Sequence, residues 1–498
     1  MKGEAQENEK EQAMRSRTHS EQSAVKIPAA GEDPCPEAAN APAQAVDPTV
    51  SEVATPALPQ PDRAAQPRLH SPDRRQLLST LTIDDLLEAD HPARAVWSYV
   101  EGLDLSSLYD CIRARGSVAG RPAIDPRLLV ALWLYATLSG FTSARELADL
   151  CIRHDAFRWL CGGVSVNYHT LADFRTDNPG FLEQLLKQSV ELLRQQGLID
   201  LDRVAQDGMR VRASAGAASF HRRETLEKQL QEAEAEVERL QQQLKATAAH
   251  PTLPQEVATE QASADEPPAS PQQQAAAMRH AGERLERIEQ ALERMPEMEA
   301  KIKPDEDRQA RVSTTDPQAT VMKMADGGYR PAYNVEYVTA CQGQVIVGVD
   351  VIMVGSDLGQ LPPMLDRIEC RFKQRPKEAL VDGRVASLKD IEQLQGGEKK
   401  CTVYAPVAKP KKKGVDRYAP KATDSEAVAQ WRKRMGTEEA KKIYKERGAT
   451  AECVNAQARN RGMQQFTVRG VDKAKAIALW FACVHNMARC FALQPQLE

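Results

Sequence analysis

At Leu198 the chain changes its period, and that change forces two kinds of structure on it. From Thr80 onward the apolar residues recur at helical spacing. Pro126-Arg-Leu-Leu-Val-Ala-Leu-Trp-Leu-Tyr-Ala is dense in helix formers, and Ser143, three residues before Glu146, opens another helix with a capping-box pattern. From Leu198 β-branched residues take over and lead into Asp207-Gly208, as in a first strand. Tyr333-Asn-Val-Glu-Tyr-Val-Thr and Val345-Ile-Val-Gly-Val-Asp-Val-Ile, joined by a short Gln-Gly-Gln turn, predict a long hairpin. A helix is expected at 358–373, then the short strand Ala379-Leu-Val ending on Asp382, a strand from Cys401, and helices at 423–459 and 472–493. Strand, hairpin, strand and helix in that order describe an α/β layer with mixed strand directions.

Two further helices interrupt this pattern. Leu226, Leu230, Ala233, Val237, Leu240 and Leu244 alternate in steps of four and three, and so do Met278, Ala281, Leu285, Ile288, Leu292 and Met295. A Pro-, Gln- and Ala-rich stretch near 246–272 reads as a flexible joint between two heptad seams, so an antiparallel coiled-coil hairpin is expected at 217–302. Pairing with a second subunit is the competing use of the same seams. The expected organisation is a disordered extension over 1–75, a helical domain over 76–198, and an α/β domain over 199–216 and 303–493.

Bulk chemistry narrows the partners. The net charge of -4 argues against nucleic acid until its distribution is examined. Residues 371–475 carry about +13, including a loop with Lys409, Lys411, Lys412 and Lys413, so a basic segment sits inside a mildly acidic whole. The ten cysteines form no CxxC pair and no zinc-finger spacing with His, and read as reduced small hydrophobes. No apolar run reaches the ~18–20 residues of a membrane span, and the N-terminus begins with charged and polar residues, so a cytoplasmic protein with no membrane partner is expected.

Three acids stand where strand ends and a helix face could gather them: Asp207, Asp382 and Glu452. Carboxylates suit hard cations such as Mg2+, and two such ions ~3.5–4 Å apart can clamp an in-line phosphoryl displacement. Asp-Gly is equally an ordinary turn. On the helix carrying Glu452, Asn455 follows by three and Arg459 by seven, with Tyr444 and Arg447 one or two turns earlier. Such a cation is a plain helix ion pair or, with metal neutralising the acid, a phosphate contact.

The run Tyr444-Lys-Glu-Arg447-Gly-Ala-Thr-Ala-Glu452-Cys-Val-Asn-Ala-Gln-Ala-Arg459-Asn-Arg461 resembles the Tyr, Arg, Glu, Lys/Arg signature of bacterial insertion-sequence DDE transposases with an RNase H-like core. Phe466-Thr-Val-Arg-Gly and His485-Asn486-Met-Ala-Arg489 resemble that family's C-terminal run. Asp207-Gly208 is similar to its first catalytic Asp, and Val381-Asp382-Gly383 with Ala386-Ser387 to its second. Thr315-Asp316-Pro317, Asp326-Gly-Gly-Tyr and Tyr333-Asn334-Val agree as well, as do Ala131-Leu-Trp-Leu-Tyr-Ala and Thr170-Leu-Ala-Asp-Phe-Arg175 of the helical part. Asp316 and Asp202 rank below Asp207 as triad members, one in a loop-like context and the other at a strand start.

The resemblance implies an RNase H-like mixed sheet flanked by helices and a triad of Asp207, Asp382 and Glu452 binding Mg2+, or Mn2+ in its place. It implies hydrolysis of the strand at each element end and attack of the freed 3′-hydroxyl on target DNA, through two metal ions. Tyr444, Arg447, Asn455, Arg459 and Arg461 are then the contacts near the cut. His169, Thr170 and Arg175 of the helical domain face the terminal inverted repeats, and self-association on DNA is expected. The alternatives are an inactive DNA-binding regulator, a metal-dependent nuclease, and a coiled-coil assembly factor.

Overall fold

The computed structural model describes residues 82–112, 122–249, 270–302, 309–383, 385–396, 400–410 and 414–493. The extension at 1–75, residues 250–269 of the expected joint, and Lys411, Lys412 and Lys413 lie outside them. The described residues belong to a unit running from Leu78 to Glu498.

Before Leu198 the expected helices form: α1 (Pro92–Glu101), α2 (Ser106–Asp110), α3 (Pro126–Leu138), α4 (Ala144–Arg153), α5 (Asp155–Cys161), α6 (Tyr168–Asp177) and α7 (Pro179–Gln195). Caps set their starts. Asp125 accepts from the Arg127 amide ahead of Pro126, and Ser143 accepts from the Glu146 amide at 3.3 Å. Nearly all of α3 is buried, which explains why its sequence is apolar on every side.

The α/β part is a six-stranded mixed sheet. Its strands are β1 (Arg203–Arg212), β4 (Thr320–Lys323), β5 (Tyr329–Ala340), β6 (Ile346–Ile352), β7 (Glu378–Val381) and β8 (Thr402–Tyr404), while β2 (Phe220–His221) and β3 (Val312–Ser313) form a separate pair. The order is β4-β5-β1-β7-β8, and β6 also pairs with β5. β1 lies antiparallel to β5 and parallel to β7, and β7 lies parallel to β8. The hairpin is as expected, turning through Gly343 and Gln344 at positive φ. β4 is an addition the sequence did not signal; it extends the sheet along the first residues of β5.

Between β1 and β4, α8 (Arg223–Ala249) and α9 (Pro271–Ala300) form a helical pair. Arg223 bonds Glu299 at the base and Arg284 lies 3.9 Å from Glu232 further along, so the helices run antiparallel. Leu226, Ala291, Met295 and Val312 make a small core at that base.

After the hairpin come α10 (Leu361–Phe372), α11 (Leu388–Gly396), α12 (Glu426–Met435), α13 (Glu438–Arg447), α14 (Cys453–Asn460) and α15 (Val471–Leu493). One core joins α1–α7 to the sheet and to α15 through Trp133, Phe157, Leu182, Tyr337, Trp480 and Phe481. A second packs α10, α11 and α12 with β7 and β8. Contrary to the expectation of no apolar run, α15 is long and apolar enough to cross a membrane by composition. Here it is a core helix, 72% buried, because it is covered by the sheet on one side and by α3 and α7 on the other.

Candidate active site

β1 and β7 bring the first two acids together. Gln206 is the register partner of Val381, so Asp207, in the middle of β1, and Asp382, just past the end of β7, fall side by side on neighbouring parallel strands. Strands in a sheet lie ~4.8 Å apart, close enough for two such carboxyls to share one cation. Burial raises the pKa of Asp207; Arg447 opposes the rise, and Asp357 and Asp382 add to it. Asp382 accepts from the Gly383 amide at 2.6 Å.

The third acid depends on an irregular helix. The expected continuous helix over 423–459 instead breaks near Gly436 and passes from α13 into a π-helical turn at Gly448–Glu452 before α14. In a regular α-helix residues five apart lie roughly 140° out of phase. The i→i+5 turn absorbs one extra residue and stacks Glu452 under Arg447. Arg447 Nη1 donates to Glu452 Oε1 at 2.8 Å, and Nη2 stands 3.1 Å from Asp207 Oδ1. Asn455 Nδ2 donates to Asp207 Oδ2 at 3.0 Å.

Arg447 is thus a bridge between two of the acids. Its burial works against the charged form, yet the field of Asp207, with Tyr444, Asp382 and Glu452, holds its pKa above the ordinary value. Tyr444 is half-buried beside the same charges, and that burial raises its hydroxyl pKa. Glu452 is the exposed member, its side chain 61% exposed against 18% for Asp207.

The other residues named from the sequence fall elsewhere. Arg459 is exposed on α14. Arg461 turns inward, its guanidinium 6.0 Å from the Phe481 ring centre, and burial lowers its pKa. His169 is exposed and Thr170 half-buried in the first turn of α6, where Asn167 accepts from the Thr170 amide at 2.9 Å. Arg175 corrects the expectation of a DNA contact: it is buried, sits 4.5 Å over Trp133, and donates to the Thr142 carbonyl. Its charge is spent on holding α6 to the core, and burial lowers its pKa to about 9.

Among the described residues, no three His, Cys, Asp or Glu side chains already stand in metal-binding geometry. The donor chemistry of Asp207, Asp382 and Glu452 nevertheless fits a hard divalent cation. The Arg447 guanidinium, bridging Asp207 to Glu452, marks where positive charge is stabilised.

One group was not foreseen. On the opposite face of β1 from Asp207, Glu336 lies across from Gly208 and bonds Gln206 and Asn334, with Asp357 beside it. The signal was present in the alternation of Asn334 and Glu336 along an otherwise apolar strand.

A family model described as Transposase domain (DUF772) matches residues 81–177, and one described as Transposase DDE domain matches residues 397–491. The second match contains Tyr444, Arg447, Glu452 and Asn455 but stops short of Asp382 and Asp207. No curated protein and no solved structure matches the chain.

Proposed function

Taking this chain as an insertion-sequence DDE transposase, which the matches at both ends of its folded part support, we propose that it cuts the ends of its element and joins them to target DNA by phosphoryl transfer. The observation that carries this reading is the pair Asp207 and Asp382 on adjacent strands, with Arg447 tying Asp207 to Glu452 across a π turn. The sheet order, with its antiparallel second strand β5, supports an RNase H-like core. Residues 199–216 and 303–493 then form the catalytic domain, residues 76–198 read the terminal inverted repeats, and the helical pair is a coiled-coil insertion.

Asp207, Asp382 and Glu452 would hold divalent cations, Mg2+ or Mn2+, which supply Lewis-acid stabilisation of the phosphate oxygens. Asn455 fixes the rotamer of Asp207, so the carboxylate is oriented before substrate arrives. Arg447, buried and permanently charged, changes partner from the acids to a DNA phosphate, and Tyr444 packs beside it. Arg459 is exposed one turn along and suits backbone contact. His169 and Thr170 remain part of the proposed DNA path, Arg461 being turned inward against Phe481, and the basic stretch at 371–475 draws the polyanion in. Two element ends must be held at once, so self-association on DNA belongs to this reading.

The test is strand cleavage and joining on a duplex with the element's own terminal repeats, comparing wild type with Asp207→Ala, Asp382→Ala and Glu452→Ala. Wild type should cut and join, while each variant binds DNA and does neither. Cutting without joining would favour a nuclease, and binding without cutting a regulator.

A further inference from the structure

We infer that the reverse face of β1 carries a second cation site, built from Glu336 and Asp357 above Gly208 and lined by the amides of Gln206 and Asn334, which takes a hard divalent ion such as Ca2+ or Mn2+. None of these side chains belongs to the triad, although the cluster lies within the field of Asp207 on the other face of the strand.

Gly208 provides the room. A Cβ there would meet Asp357 Oδ1 at 2.5 Å and Glu336 Oε1 at 2.6 Å, so two carboxylate oxygens converge over the one residue that leaves space for them. Glu336 is fully buried. Gln206 Nε2 donates to Glu336 Oε2 at 3.1 Å, and Asn334 Nδ2 donates to Glu336 Oε1 at 2.9 Å and also to Asp357 Oδ1. These amides hold the carboxylates in place, as outer residues orient metal ligands.

The unpaired atoms of the two amides are acceptors. Gln206 and Asn334 are 0% and 1% exposed, both amides are aimed into the cluster, and Gln206 Oε1 and Asn334 Oδ1 have no hydrogen-bond partner. A buried unpaired acceptor is costly, so two beside a carboxylate pair call for positive charge or its bound water. Arg210, opposite Asn334 on the same face, commits Nη1 and Nη2 to the carbonyls of Lys323 and Gly355, and its Nε makes no bond to these acceptors.

Hard oxygens, partial access through half-exposed Asp357, and orphan acceptors suited to metal-bound water favour a partly hydrated divalent ion over a soft metal. Bound there, the ion pins the loop after β6 to the strand that carries Asp207.

The test uses the full chain stripped with EDTA, with Asp382→Asn and Glu452→Gln introduced to weaken the first site. Ca2+ binding is read by calorimetry, and Tb3+ luminescence by competition with Ca2+. One cation should bind, and adding Glu336→Gln or Asp357→Asn should weaken it at least tenfold. Unchanged uptake in either variant, or no uptake in the parent, would overturn the site and leave a proton shared by the two carboxyls. If Glu336→Gln fails to fold, Asp357→Asn at the half-exposed loop decides by the same criterion.

Discussion

Replacing Arg447 by Met should cost stability by an amount that depends on whether Asp207 is charged. Arg447 lies 3.1 Å from Asp207, with side chains 11% and 18% exposed. Breaking a fully buried ion pair costs ~3–5 kcal/mol, and an exposed pair is worth at most ~1 kcal/mol. This partly buried pair should fall between them, at a coupling of about 2 kcal/mol. The bond to Glu452 adds little, because that side chain is 61% exposed. Without Arg447, Asp207 stands beside Asp382 with no counter-ion, so its carboxyl pKa should rise further. The assay is urea unfolding followed by far-UV circular dichroism, in EDTA at neutral pH and low salt. It compares wild type, Arg447→Met, Asp207→Asn and the double variant. The double variant should be about 2 kcal/mol more stable than the sum of the single losses predicts. Mg2+ should return part of the loss in Arg447→Met, because the ion supplies the charge the arginine gave. A coupling under about 0.5 kcal/mol would refute the view of Arg447 as the internal counter-ion of this site.

Three other outcomes follow from the same physics. Gly208→Ala forces a methyl against Asp357 and Glu336 and should destabilise by about 1–3 kcal/mol, read as a drop in the urea midpoint. Arg175→Met should cost about 1–3 kcal/mol through the lost bond to Thr142, while DNA affinity and its salt dependence stay unchanged in a fluorescence titration. His485 is buried between Gln457 and the Gln344 carbonyl, and burial lowers its pKa to about 4 from 6.5. The unfolded chain therefore takes up the proton first as pH falls, so this contribution is present above pH 6.5. About 3 kcal/mol is lost on going down to pH 4, and the difference in pH dependence between wild type and His485→Gln measures it.

How far the sequence alone reaches is clearest at particular residues. Periodicity found the helices before Leu198, the hairpin and the strand ending on Asp382, because each repeats a local pattern that burial reads directly. Short β4 was missed, since four residues on a sheet edge carry no period of their own. The π turn was invisible for a different reason. Nothing local distinguishes Gly448-Ala-Thr-Ala-Glu452 from an α-helix, and only packing of α13 and α14 against the sheet gives the extra residue a place. Arg175 was misread because a charge in a helix looks solvent-facing until a tryptophan and a carbonyl are found around it. Residue chemistry and local period by themselves determined the α/β class and the identity of the acids worth watching. Tertiary structure decided which of them meet, because strand register and one irregular helical turn set distances that no spacing along the chain contains.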